Sequence, residues 1–176
     1  MNKKTIICVV GPSGSGKTTM GMSLCEKEGY NWICSYTTRS MREDETNGVE
    51  HWFVGKSDIP RRADMFACGV FGDDFYWAKN EQFIEDVPNV YVIDEKSLLE
   101  LEKNLLVNNN IGMYSLVKVY VKRDSIDVDD NRMRRDNDRK KLPESFYDII
   151  LENNGDIDEF LSVSADKIKK TIDLKK

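Results

Sequence analysis

Apolar residues along this chain fall in short runs of about six. They are TIICVV (5–10), NWICSY (31–36), NVYVID (89–94), LVKVYV (116–121) and YDIILE (147–152). The runs are rich in Val, Ile and Tyr and nearly continuous, which suits strands of a sheet buried on both faces. Between them the spacing changes to that of helices. KTTMGMSLCEKE (17–28) puts Met20, Leu24 and Cys25 on one side and stops before Gly29. EKSLLELEKNLL (95–106) repeats Leu98, Leu101 and Leu105 at three- to four-residue intervals. DIDEFLSVSADKIKKTI (156–172) carries Ile157, Phe160, Leu161 and Ile168, with Asp156 as a candidate N-cap. Alternating strands and helices predict an α/β fold with a parallel five-stranded sheet, flanking helices and right-handed crossovers.

Two regions break the pattern. Residues 37–80 are polar, glycine-containing and aromatic, with brief alternating stretches such as HWFV, and read as a small, partly antiparallel insertion. Residues 124–142, DSIDVDDNRMRRDNDRKKL, are dominated by charge. Both belong near the rim of the sheet beyond the strand C-termini, where α/β proteins hold ligands. The chain thus reads as one domain over 1–176. Its core is 1–34, 81–123 and 143–176, with an insertion at 35–80 and a short lid at 124–142.

Composition narrows the classes. A chain of 176 residues suits one domain with a real core. The net charge of −5 argues against a general nucleic-acid binder. Cys8, Cys25, Cys34 and Cys68 show no paired spacing and there is 1 histidine, so a zinc site is not expected and the thiols read as reduced. The apolar run after MNKK is too short for a secretory core, and no run approaches the ~18 residues of a membrane span. These features predict a cytoplasmic protein with no membrane or nucleic-acid partner, as a monomer or homodimer.

The stretch GPSGSGKTT (11–19) lies between the first candidate strand and the first candidate helix. Gly11, Gly16, Lys17 and Thr18 complete G-x-x-x-x-G-K-[ST], and the strand–loop–helix context gives the motif its meaning. Glycines let successive backbone N–H groups turn inward around an anion, and the helix start adds its positive dipole end. Gly11, Pro12, Ser13, Gly14, Ser15, Gly16, Lys17, Thr18 and Thr19 are therefore candidate ATP-binding residues. Lys17 would meet the β- and γ-phosphates and Thr18 would ligate Mg²⁺. The expectation is a P-loop NTPase fold.

Farther along, SYTTRSMREDETNGVEHWFV (35–54) resembles the guanylate kinase family, which follows its phosphate loop with S-x-T-T-R, a second arginine, an E-x-x-G turn and an aromatic strand. Ser35, Thr37, Thr38, Arg39, Arg42, Glu45, Gly48 and Phe53 stand at the matching positions. The resemblance runs along nearly the whole chain, more weakly after residue 110. It implies a nucleoside monophosphate kinase in which Ser35, Arg39 and Arg42 bind the acceptor's phosphate. Arginine's permanent, bidentate charge suits a dianion independently of the resemblance. His51 stands where the family has a tyrosine, and an unperturbed histidine would make acceptor binding pH-sensitive near ~6.5. Asp94, at a strand end, resembles an aspartate near the acceptor and the metal; capping the helix at 95–106 is its other reading. Arg132, Arg135 and Arg139 lie at i, i+3, i+7, beside Arg134, and resemble lid arginines that reach the transferring phosphoryl group; a solvated helix face is the bland alternative. Asn153 would meet the ATP adenine and Tyr76 the acceptor.

The expected machinery is therefore Lys17, Arg39, Arg132, Arg135 and Arg139 for catalysis, with Thr18 and Asp94 on the Mg²⁺ side. No general base is required, because the acceptor is already an anion and positioning with charge stabilisation dominates phosphoryl transfer. Base reading departs from the family. Ala67 and Ala78 align with a glutamate and a serine that read guanine, while Asp73 and Asp74 lie nearby. The expected reaction is ATP-dependent phosphorylation of GMP or dGMP. A different or broader (deoxy)nucleotide range is the alternative, and a catalytically inactive binding module the third reading.

Overall fold

The computed structural model describes residues 4–107, 113–124, 137 and 139–175. Five parallel strands form the main sheet: β1 (Lys4–Val10), β2 (Asn31–Ile33), β7 (Asn89–Val92), β8 (Tyr114–Lys122) and β9 (Ile149–Glu152), in the order β2-β7-β1-β8-β9. Central β1 pairs with β7 on one side and β8 on the other, with Cys8 opposite both Tyr91 and Lys118. Ile6 to Val10 are fully buried. This explains the unbroken apolar run, because alternate residues feed two cores. Ile7 and Val9 pack with Met20, Leu24, Phe160 and Ile168 on one face, and Ile6, Cys8 and Val10 with Leu98, Leu101 and Tyr91 on the other.

Among the described residues three helices cover the sheet. α1 (Lys17–Glu28) stops at Gly29, whose φ of 70° closes the turn in the left-handed region. α2 (Glu95–Val107) follows β7. α3 (Ile157–Leu174) begins at Asp156, whose Oδ1 accepts from the N–H groups of Asp158 and Glu159, each at 3.0 Å, as the sequence predicted. No helix among the described residues is long and apolar enough to cross a membrane.

The polar stretch forms a second sheet from β3 (Tyr36–Thr37), β4 (Trp52–Phe53), β5 (Met65–Phe71) and β6 (Asp74–Lys79), in the order β4-β3-β6-β5. β3 pairs parallel with β4 and antiparallel with β6, and β5 with β6 form a hairpin around Gly72. One predicted strand divides here. NWICSY gives β2 to the main sheet and begins β3 of the second, so Ser35 sits at the step between them. The second sheet rests on α2. A side chain at Gly69 would put its Cβ 2.1 Å from Ser97 Oγ, so only glycine admits this approach. Ala67 and Ala78 face each other across β5 and β6 and join Leu98 and Leu101 in the second core.

Candidate functional site

The loop after β1 curls as its sequence demands. Gly11, Gly14 and Gly16 have φ of 154°, 73° and 99°. A Cβ on Gly11 would lie 2.2 Å from the Val121 carbonyl oxygen, and one on Gly16 2.5 Å from Asn153 Nδ2. The loop is thus pressed against the ends of β8 and β9. α1 starts without a side-chain cap and without an acidic residue in its first turn. Its N-terminal N–H groups and dipole are therefore suited to an external anion. Lys17 Nζ donates to the Pro12 carbonyl at 2.6 Å, folding back over its own loop.

Across from the loop, Glu45 gathers the two arginines. Arg39 grips it in a fork, Nη1 to Oε2 at 2.9 Å and Nη2 to Oε1 at 2.7 Å, while Arg42 Nη1 donates to Oε1 at 3.1 Å and its backbone N–H to Oε2 at 2.9 Å. Burial works against charge on both partners of the fork. Even so, Glu45 is held below the usual carboxylate range by the arginines, and Arg39 is held above its ordinary value by Glu45. The Arg39 guanidinium also lies 5.2 Å above the Phe53 ring. Glu45 is therefore the residue that fixes both arginines.

Ser35 Oγ lies 2.7 Å from His51 Nδ1, and the His51 ring meets Tyr76 edge-on at 5.5 Å. These groups, with Lys17, Arg39 and Arg42, line one cleft of about 200 Å³ that also contains Gly11, Asp94, Ser97 and Arg139. A neighbouring hollow shares Lys17, Ser35 and His51 and adds Thr18. The phosphate loop and the paired arginines thus face each other across a single opening.

The comparisons with known proteins agree with this arrangement. The guanylate kinase family model matches residues 2–171. The chain belongs to the guanylate kinase family. It is 32% identical over 106 residues to a guanylate kinase of Mycoplasmopsis synoviae, an alignment covering 58% of this chain and 52% of that protein. A guanylate kinase of Salinibacter ruber is 32% identical over 111 residues, covering 58% and 59%. In these two alignments the chain spans about half the length of the relative. The alignment to a guanylate kinase of Chlorobium chlorochromatii is longer, 24% identical over 185 residues and covering 95% and 93%. The solved guanylate kinase of Anaplasma phagocytophilum shares the fold, with a TM-score of 0.67 at 19% identity over 97% of this chain and 88% of that one.

The other expected positions lie partly in the cleft and partly beneath the phosphate loop. Asp94 caps α2: Oδ1 accepts from the Ser97 N–H at 2.9 Å and Oδ2 from Ser97 Oγ at 2.6 Å. It lines the main cleft, whereas Thr18 lines the neighbouring hollow. Asn153, expected at the adenine, is buried under the phosphate loop and donates from Nδ2 to the Ser15 carbonyl at 2.9 Å. Of the lid arginines, Arg139 reaches the cleft, while Arg132, Arg134 and Arg135 lie outside the described residues.

Two expectations are corrected. His51 does not titrate near neutrality in the unliganded protein: burial, with the positive charges of Arg39 and Arg42, lowers it to about 4. Asp73 and Asp74 are not positioned in the cleft as the candidate replacements for the base-reading glutamate. They sit at the β5–β6 turn and neither lines the cleft. Ala67 and Ala78 are buried, at 2% and 0% exposure, within the core rather than open to the cleft. Besides the residues of the two phosphate sites, the cleft is lined by Tyr76, Tyr91, Asp94 and Ser97. Sequence reading had missed Tyr91 and Ser97, because both sit in runs that read as plain strand and helix. Among the described residues no cluster of three His, Cys, Asp or Glu forms a metal cage, and burial pushes Cys8 and Cys34 up to about 12.

Proposed function

We propose that this protein transfers the γ-phosphoryl group of ATP to a nucleoside monophosphate, with GMP and dGMP the preferred acceptors. The observation that carries this reading is the single opening in which Lys17 and the uncapped start of α1 confront Arg39 and Arg42. One side suits a triphosphate and the other a monophosphate dianion. In this reading Gly11 to Thr19 cradle the ATP phosphates. Ser35, Arg39, Arg42 and His51 hold the acceptor phosphate, and Tyr76 and Asp94 hold its nucleoside. Lys17 and the arginines oppose the charge that develops during transfer, with no general base.

Mg²⁺ fits this site as a companion of the nucleotide rather than as a resident ion. Mg²⁺ commonly takes one or two protein oxygens together with substrate phosphates and water. Thr18, in the first turn of α1, is placed to supply one. Asp94, which already accepts two hydrogen bonds from Ser97, would contribute through water. When bound, the ion neutralises phosphate charge.

A broader acceptor range is the second reading, favoured by the burial of Ala67 and Ala78. The test is ADP release with ATP·Mg²⁺ against GMP, dGMP, AMP, dAMP, CMP, dCMP, UMP and dTMP. GMP- or dGMP-dependent release supports the proposal. A best acceptor with another base supports the second reading, and no acceptor-dependent release overturns both.

A further inference from the structure

Arg139 and Glu95 form a buried ion pair at the edge of the phosphate loop. Their side chains are 11% and 4% exposed. Arg139 Nε and Nη2 both donate to Glu95 Oε2, at 3.0 and 2.8 Å, and Nη1 donates to the Gly11 carbonyl oxygen. One guanidinium therefore bridges the first residue of α2 and the first residue of the phosphate loop. Both anchors are rigid. Glu95 follows the Asp94 cap, and Gly11 lies against the end of β8 with no room for a side chain. Arg139 also lines the cleft that holds Lys17, Arg39 and Arg42.

Burying such a pair is seldom a gain in stability, since desolvation offsets the attraction. The pair does fix the direction of a planar fork, which a lysine could not reproduce. Nothing in the mechanism above uses Glu95, although it is one of the most buried charged residues described.

We propose that Glu95 is a positioning residue, holding the Arg139 guanidinium at the mouth of the phosphate loop so that it meets the phosphates of a bound nucleotide. This rests on the ATP-binding reading of the loop. Glu95 itself touches no substrate; it acts through Arg139.

The test measures ATP·Mg²⁺ affinity by titration calorimetry, and separately kcat and KM, in Glu95→Gln, Arg139→Ala, Arg139→Lys and the Glu95→Gln/Arg139→Ala double variant. Glu95→Gln and Arg139→Ala should each weaken ATP binding by about 10- to 100-fold. The double variant should be no weaker than Arg139→Ala, because Glu95 has no separate contribution. Arg139→Lys should recover only part of the loss, and the GMP KM should stay within about threefold throughout. If Glu95→Gln does not fold, Glu95→Asp, with its charge one methylene short, should show the same weakening. Losses that add in the double variant, or a lowered Tm with unchanged ATP affinity, overturn the proposal by making Glu95 a helix-start residue only. Wild-type protein that binds ATP but releases no ADP with any of the eight monophosphates sinks the kinase reading alone. Failure of wild type to bind ATP sinks the loop reading and this proposal together.

Discussion

Asn153 and Ser15 are 138 residues apart in sequence, yet the amide of one donates to the carbonyl of the other at 2.9 Å. The bond ties the end of β9 to the underside of the phosphate loop. Asn153→Ala should leave that carbonyl buried without its partner, costing roughly 1–3 kcal/mol of stability. Urea unfolding measures the loss, and ATP affinity should fall with it, since the loop loses its floor. Unchanged stability would show that the contact is incidental.

Lys17→Ala should lower turnover by at least ~10²-fold while the protein remains folded. Lys17 Nζ donates to the Pro12 carbonyl within its own loop, so the change is made at the loop and not in either core. Circular dichroism with steady-state ADP release checks both halves. Near-normal turnover would remove the basis for phosphoryl transfer.

Arg39 and Arg42 share Glu45 but not its depth. The Arg39 side chain is 11% exposed and Arg42 28%. Arg42→Ala should raise the acceptor KM, costing roughly 2–3 kcal/mol in kcat/KM for the monophosphate, with the ATP KM nearly unchanged. Arg39→Ala should do the same and also lower Tm, because it strips the fork from a buried carboxylate. Equal effects on both substrates would place the acceptor site elsewhere.

His51 gives a pH signature with a definite sign. Its folded pKa is about 4 against the ordinary 6.5, lowered by burial and by the neighbouring arginines. The native protein therefore binds fewer protons than the unfolded chain between those values, and stability rises with pH across that window. The contribution is complete above about pH 6.5 and is lost on acidification toward 4, amounting to roughly 3 kcal/mol in full. Chemical denaturation of wild type and His51→Gln from pH 4 to 7 should show a shallower pH dependence in the variant. Between pH 6 and 8 the acceptor KM of wild type and His51→Tyr should follow the same curve, set by the phosphate's own proton near ~6. Divergence there would mean that His51 charges when the acceptor binds.

The main sheet was legible because its strands are buried on both faces and leave long apolar runs, as Ile6 to Val10 do. The phosphate loop was legible because its glycines answer to local backbone geometry. Glu45, Glu95 and Asn153 were not legible as anchors. Each acts on a partner through side-chain geometry, and for Glu95 and Asn153 the partner is 44 or 138 residues away. The His51 environment was hidden for the same reason, since its pKa depends on arginines folded around it. Tyr91 and Ser97 carried no signal because strand and helix periodicity account for them fully.

The facing alanines, Ala67 and Ala78, make the joint between the second sheet and α2 a dry one. A glutamate introduced at 67 would enter the core beside Leu98 and Leu101 instead of meeting a nucleobase, and burying that charge unpaired is prohibitive. Tighter selection among bases therefore cannot evolve through the positions that sequence comparison singles out. It has to pass through Tyr76 or Asp94, which line the cleft and lie outside the core that Ala67 and Ala78 share with α2. The seam that holds the second sheet in place thus also decides which side chains can be varied without disturbing the core.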